Sequence, residues 1–328
     1  FPIGASTREL GMNTNRAEYL PHEGVMTEEI SSILKDVPNG IFVDATYGYG
    51  SHFNLSNNFE HLNFIGFDRD IESINNSKND HNVYHLKFSK IYKYLSKNQL
   101  LPISGILYDF GLSSHQLDSD YRGFSFQKNS DLDMRMDGKQ KLTAEYIVNN
   151  YTEEELKKVL KFYGEDRNYR KISNNIVESR PILTTNELVA VIKNSLPKQN
   201  PIFTKKTIRR TFQALRIEVN NELNEIKASL DSIKESLNKK GIIVCISYHS
   251  LEDKIVKNFF KEITTFCICE PSIPICKCEI KQQYIYPKKK KYVPSEKEKE
   301  LNPRSRSAIM RYVIKLWKNL YYSFQYIL

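Results

Sequence analysis

Three aspartates in this chain each end a short apolar run, and that placement is the first sign of chemistry. Asp44 closes the run Ile41–Asp44 and opens the segment Asp44-Ala-Thr-Tyr-Gly48-Tyr-Gly50-Ser-His52. Glycines in such a turn let the backbone approach a ligand closely, and a helix starting there would add exposed N–H donors. The segment does not fit a dinucleotide loop, because Phe53 stands where the third glycine of G-x-G-x-x-G belongs. An acid four residues ahead of the first glycine suits an amino-acid ammonium better than a pyrophosphate. A plain strand-to-helix turn is the competing reading. Asp68 closes Leu62–Asp68, 24 residues after Asp44, where an acid can accept hydrogen bonds from both hydroxyls of a nucleoside ribose. Asp70 is expected to cap a helix. Asp109-Phe-Gly-Leu-Ser-Ser114 ends a further run, and a polar strand end there would face the reactive part of a bound cofactor. Ser247-Tyr-His-Ser250 ends another. His249 is either a base or, as is commoner for a single strand-end histidine, a hydrogen-bonded structural residue. Cys267-x-Cys269 and Cys276-x-Cys278 could offer four thiolates to zinc, although the usual pairs are more widely spaced. A free-thiol loop is the alternative, and no metal is assigned.

The elements that must position these residues follow an α/β rhythm. Ile41–Asp44, Leu62–Asp68, Val83–Phe88 and Ser104–Asp109 read as strands, and polar helix-length stretches separate them. In such sheets ligands sit at the carboxyl ends of the strands, where the aspartates lie. The rhythm stops after about residue 118 and residues 143–196 read as helical. Thr152-Glu-Glu-Glu155 has the form of a capping box ahead of Leu156, Val159, Leu160 and Tyr163. Glu187–Leu196 is amphipathic, and Pro197 and Pro201 bound a loop. Helical periodicity then runs from Thr207 to about Lys239. Gly241 opens a strand, Ile242–Ser247, and a helix follows from near Leu251. Residues 264–303 are loop-rich, and Ala308–Lys315 alternates as a last strand. The sheet is therefore expected to be interrupted by a helical insertion.

The formal charge of +9, from 48 basic against 39 acidic residues, favours a polyanionic partner, or else reflects lysines on solvated faces. No apolar run approaches the length of a membrane span. The five cysteines come without a secretion signal, which points to a reducing cytoplasm and no disulfide framework. Cys245 lies in an apolar run and reads as a core residue.

Ten blocks make the chain resemble the MraW/RsmH family of N4-cytosine methyltransferases of small-subunit ribosomal RNA, and they run in the family's order. They are His22-Glu-Gly-Val-Met, Asp44–His52, Gly66-Phe-Asp-Arg-Asp70, Asp109–Asp118 and Arg122-Gly-Phe-Ser-Phe126. The others are Leu132-Asp-Met-Arg-Met-Asp137, Tyr163-Gly-Glu165, Arg210-Thr-Phe-Gln-Ala-Leu-Arg-Ile217, Ser247–Asp253 and Asn302-Pro-Arg-Ser-Arg-Ser307. The resemblance covers roughly residues 22–315. It implies an α/β fold, a Rossmann-like S-adenosylmethionine (SAM) methyltransferase sheet with an inserted helical domain. Residues 1–20 would be a disordered or non-native leader. Residues 21–118 and 204–318 would form the methyltransferase domain, 119–203 the inserted substrate-recognition domain, and 264–303 a loop-rich part of the second piece.

SAM is the implied cofactor. Gly50, Ser51 and His52 would line its methionine and ribose side, Asp68 would hold the ribose, Phe88 would lie against the adenine, and Asp109 and Gln116 would complete the pocket. Ser51 stands where the family has glycine, Tyr47 where Phe is common and His115 where Pro is usual. Asp109, or a backbone carbonyl beside it, is the candidate acceptor for the N4 hydrogen, with pure cofactor binding as the other reading of Asp109. Arg122, Arg135, Arg209, Arg210, Arg216, Arg304 and Arg306 are candidate phosphate contacts, and Phe124, Phe126 and Tyr248 candidate stacking residues or core. The implied partner is small-subunit ribosomal RNA or the assembled subunit, with no membrane and with a homodimer left open. A bacterial cytoplasm is implied, an organelle matrix being the alternative. Two other readings stay open: the same fold acting on another substrate, and a SAM-binding assembly factor without catalysis. DNA N4 methylation usually carries an Asp/Ser-Pro-Pro-Tyr signature where this chain has Asp109-Phe-Gly-Leu.

Overall fold

The computed structural model describes residues 24–119, 121–197, 200–269, 280 and 282–316. The expected leader lies outside them. A short helix α1 (Thr27–Leu34) precedes β1 (Gly40–Asp44), β2 (Leu62–Asp68), α2 (Ile71–Asn75), β3 (Val83–His85), α3 (Ile91–Lys97) and β4 (Ile103–Asp109). Then come α4 (Ser114–Asp118), α5 (Ala144–Asn150), α6 (Glu153–Phe162), α7 (Tyr169–Glu178), α8 (Thr185–Asn194), α9 (Pro201–Asn220) and α10 (Glu222–Ile233). The chain returns to the sheet with β5 (Leu237–Ser247), α11 (Ser250–Thr264), β6 (Tyr284–Ile285), α12 (Glu296–Leu301) and β7 (Ile309–Lys315).

The seven strands form one sheet in the order β3-β2-β1-β4-β5-β7-β6. Strands β1 to β5 are parallel, and β7 runs antiparallel to both β5 and β6. The order reverses between β1 and β4, which opens a crevice at their carboxyl ends. This is the Rossmann-like α/β sheet that the sequence implied. Each central strand is apolar on both sides because helices cover both faces. Val43, Ile65, Tyr108, Ile243 and Cys245 face α3, α10 and α11 through Leu95, Leu230 and Phe260. Their neighbours Phe42, Phe64, Leu107, Val244 and Ile246 pack with Ile30 and Leu34 of α1. Cys245 is thus fully buried, as its apolar run suggested.

Helices α5 to α8 share a separate core, in which Leu156, Ile172, Ile176 and Leu188 are fully buried. The expected capping box is present: Thr152 Oγ1 accepts the Glu155 amide at 3.3 Å, and Glu155 accepts the Thr152 amide at 2.8 Å. Thr184 and Glu187 cap α8 in the same way. The helical core also takes Ile208, Phe212, Leu215 and Val219 from α9. By packing, then, α9 belongs with the helices, although the expected boundary at residue 204 falls inside it.

The long periodic stretch is two helices rather than one. Asn221 adopts φ 51°, a left-handed conformation that asparagine tolerates, and this ends α9 and starts α10 while the apolar period continues. Helix α9 begins at Pro201 instead of Thr207, with Asn200 accepting the Ile202 amide at 2.9 Å and proline in the first turn. Strand β5 begins at Leu237, ahead of Gly241, because the ladder with β4 shifts register between Ile103 and Gly105. The glycine turn after β1 leads into a 3-10 helix, Phe53–Asn58, rather than an α-helix.

Candidate active site

One cavity of about 630 Å³ lies at the carboxyl ends of β1, β2, β4 and β5, between the sheet and the helical core. Ser51, His52, Asp68, Phe88, Asp109 and Gln116 all line it. Gly50 stands just behind the lining. Its φ is +77°, and a Cβ there would meet the Tyr47 hydroxyl at 2.8 Å, so the turn needs glycine. The turn is stitched to the neighbouring strands. The Tyr47 amide donates to the Phe67 carbonyl at 2.9 Å, the Gly48 amide to Asp68 Oδ2 at 2.7 Å, and the Asp109 amide to Thr46 Oγ1 at 2.7 Å. Tyr47, where the family commonly has Phe, uses its hydroxyl on His81 Nδ1 at 2.8 Å.

Two of the three strand-end aspartates, Asp68 and Asp109, line the cavity, and Asp44 is buried behind them. Burial pushes the Asp44 carboxyl up from 3.8 to about 7, against the opposing pull of His52 and the Thr46 amide. Burial likewise raises Asp68 to about 6, opposed by the amides of Asp70 and Gly48. Asp109 is raised too, first by burial, with His52 and Tyr248 acting the other way. Among the described residues, Asp44 Oδ2 and Asp109 Oδ1 have no hydrogen-bond partner. A buried, mutually repelling set of carboxylates with unsatisfied oxygens is an arrangement that a cationic ligand would relieve. His52 is buried, with Nε2 2.9 Å from the Val25 carbonyl and Nδ1 3.8 Å from Asp109. Phe88 is half-buried, edge-on to Tyr108 and Phe110. Gln116 closes a capping box with Ser113, and its Nε2 donates to Asp70 at 2.8 Å. The box forms with His115 in the place of the family's usual proline. Asp70 caps α2 as expected.

The arginines separate into two groups. Arg122, Arg135 and Arg216, expected at phosphates, each have their guanidinium engaged by groups of the protein itself. Arg122 is 7% exposed, pairs with Asp70 and donates to the carbonyls of Arg135 and Met136. Arg135 chelates Asp133 and donates to the carbonyls of Gly138 and Gln140. Arg216 lines the cavity but is held in bidentate fashion by Glu222, with both N–O distances 2.8 Å, and lies 3.8 Å from Glu252. Arg209, Arg210 and Arg304 line the cavity from more open positions, Arg210 lying 3.9 Å from Asp166 and Arg304 pairing with Asp118 at 2.6 Å. Arg306 is exposed and outside the lining, with Nε donating to the Lys299 carbonyl. Lys206 and Gln213 also line the cavity and were missed. The signal for them was the spacing 206, 209, 210, 213, which is one face of a helix.

His249 is the N-cap of α11, its ring lies 3.0 Å from Glu252, and it lines the cavity. Glu222, His249 and Glu252 could between them surround a metal ion, but Arg216 already supplies the cation there. Phe124 is buried under the Arg122 guanidinium, and Phe126 meets Phe212 in the helical core. Cys267 accepts the Cys269 amide at 3.4 Å, while Cys276 and Cys278 lie outside the described residues.

Residues 19–316 match the MraW methylase family. The chain is 44% identical over 310 residues to the ribosomal RNA small subunit methyltransferase H of Caldicellulosiruptor bescii, covering 91% of this chain and 99% of that one. It is 42% identical to the protein of the same name from Clostridioides difficile, over 90% of this chain and 99% of the relative. A third relative of that name, from Halothermothrix orenii, is 42% identical over 89% of this chain and 97% of its own length.

Proposed function

Because the chain belongs to the MraW methylase family, we propose that it transfers a methyl group from SAM to the exocyclic N4 of a cytidine in small-subunit ribosomal RNA, at the decoding centre. The observation that carries the cofactor part is the carboxylate-lined cavity. Asp68 and Asp109 line it, Asp44 is buried behind it, Asp44 Oδ2 and Asp109 Oδ1 lack partners among the described residues, and SAM brings both an ammonium and a sulfonium charge. The residues present fit that group. The Gly50–His52 turn would hold the methionine and ribose side, and Asp68 the ribose hydroxyls. Each Asp68 oxygen already accepts one amide and has a lone pair left. Phe88 would supply an apolar face for the adenine, and Asp109 and Gln116 would close the pocket.

Bound SAM would supply an electrophilic methyl group and leave as a neutral thioether. The chain's own work is alignment, exclusion of water and handling of one proton. The N4 lone pair of cytosine is delocalised into the ring, so an acceptor for an N4 hydrogen helps localise it. N4 carries a positive charge once the new C–N bond forms, and one proton must leave. Asp109 is the acceptor in this reading, passing the proton on to water. The target base must be unpaired or flipped to enter. Lys206, Arg209, Arg210 and Arg304, which line the cavity, would serve as phosphate contacts. In the proposed division of labour the sheet of segments 21–118 and 204–318 holds the cofactor, while the insertion, 119–203, recognises the substrate together with α9, which packs against it.

The test is mass spectrometry of nucleosides from small-subunit ribosomal RNA in cells with and without the gene. Loss of N4-methylated cytidine, restored by the wild type and not by Gly50→Ala or Asp68→Ala, is the expected result. An unchanged nucleoside profile overturns the proposal.

A further inference from the structure

We propose that Ile202 and Phe203, exposed on the first turn of α9, pack against a base of the RNA strand outside the cavity, beyond the target nucleotide. The inference rests on the reading of small-subunit ribosomal RNA as the substrate, and it adds a base contact to the phosphate contacts of that reading.

Helix α9 lines the cavity through Lys206, Arg209, Arg210 and Gln213. Ile202 and Phe203 precede Lys206 by four and three residues, so they continue the same face one turn nearer the helix start. At 1.5 Å per residue this face runs about 16 Å from Ile202 to Gln213. The other side of the helix is buried in the helical core through Ile208, Phe212 and Leu215, which fixes where the exposed face points. Asn200 accepts the Ile202 amide at 2.9 Å and so holds the first turn in place. Ile202 is 77% exposed and Phe203 37%, and neither lines the cavity. The helix therefore leads from the cavity outward, cations first and then an apolar pair.

The charges around the pair select its occupant. Lys205, Lys206 and Arg209 are exposed, and no acid pairs with them among the described residues. The first turn of α9 carries no acidic residue either. A second copy of this chain meeting the same face would set these cations against their own kind. Two apolar side chains are also far less than a stable protein interface buries. A single RNA strand satisfies both features at once, because its phosphates meet the cations and its bases offer flat apolar faces. Phe203 supplies the ring on which a base stacks, and Ile202 the apolar contact beside it. A base held there keeps the strand from withdrawing the target cytosine from the cavity.

The experiment is single-turnover methylation of small ribosomal subunits from a strain lacking this gene, with enzyme concentration and salt both varied and SAM affinity measured in parallel. Phe203→Ala is expected to raise the half-saturating enzyme concentration on the order of tenfold, and Ile202→Ala about threefold. Neither should change SAM affinity or the rate at saturation by more than about twofold. Both losses should be the same factor at every salt concentration, because no phosphate contact is removed, whereas the loss in Lys206→Gln should shrink as salt rises. Phe203→Tyr keeps the stacking ring and should match the wild type. A photoreactive phenylalanine analogue placed at position 203 should cross-link to ribosomal RNA. Unmoved curves in both alanine variants overturn the proposal, as does a cross-link to a ribosomal protein, to a second copy of this chain or to nothing. Wild-type protein that methylates no small subunit sinks the substrate reading itself, whereas normal wild-type turnover with unmoved Phe203→Ala and Ile202→Ala curves sinks only this contact.

Discussion

Three carboxylates that repel one another in a buried crevice set how the site responds to pH. Asp44 has a folded value of about 7 against an ordinary 3.8, so between those values the folded protein holds a proton that the unfolded chain has lost. Its contribution to stability is therefore complete below about pH 4 and is lost as the pH rises towards 7. Asp68, at about 6, acts in the same direction over a narrower window. A cationic ligand reverses the preference by favouring the ionised forms. Calorimetry of SAM binding should accordingly show affinity tightening by on the order of tenfold from pH 5 to pH 7, with protons released. Asp44→Asn should flatten that dependence, and equal slopes in the two proteins would remove Asp44 from the account. The positions of these aspartates were legible because each ends an apolar run. The partners of Tyr248 and Arg216 were not, since the residues they touch come from other elements.

At the scale of elements, the joint between the sheet and the helical core is a set of buried polar contacts. Arg122 pairs with Asp70 at the head of α2, and its other amino group takes the carbonyls of Arg135 and Met136. Arg69 donates to the Asn220 carbonyl at the end of α9, while Asn220 bonds the backbone of Met134 and Met136. Breaking one partner of a buried ion pair leaves the other charge uncompensated. Arg122→Met is expected to destabilise the protein by about 3–5 kcal/mol in urea unfolding. A change below about 1 kcal/mol would show that the pair is dispensable. From the sequence, Arg122 looked the same as any arginine facing RNA. The left-handed Asn221 was equally hidden, because hydrophobic periodicity carries across it from α9 into α10. The capping box at Thr152 and Glu155 was legible because its four residues recognise one another locally.

Over the whole molecule, the +9 charge matters through where the uncommitted part of it lies. Lys206, Arg209 and Arg210 share the cavity-facing side of α9, above the buried Arg216. If these three meet phosphates, replacing them together with glutamine should lower the slope of log binding constant against log salt by about 2 for single-stranded RNA. Filter-binding titrations across a salt series read this directly, and an unchanged slope would place the RNA elsewhere. The same substitution at Arg122, Arg135 or Arg216 would test folding instead, since their charges are already balanced within the protein.

By itself the sequence determined the alternation of strands and helices, the acids at the strand ends and the glycine turn. These depend on residues close together in the chain, so their spacing is their signal. Only the tertiary structure decided which arginines are engaged inside the protein, that Tyr248 rests on Gly111, and that α9 packs with the helical core. Whether a charge is available depends on what packs around it, and the aspartate that holds Arg122 arrives from a different part of the fold.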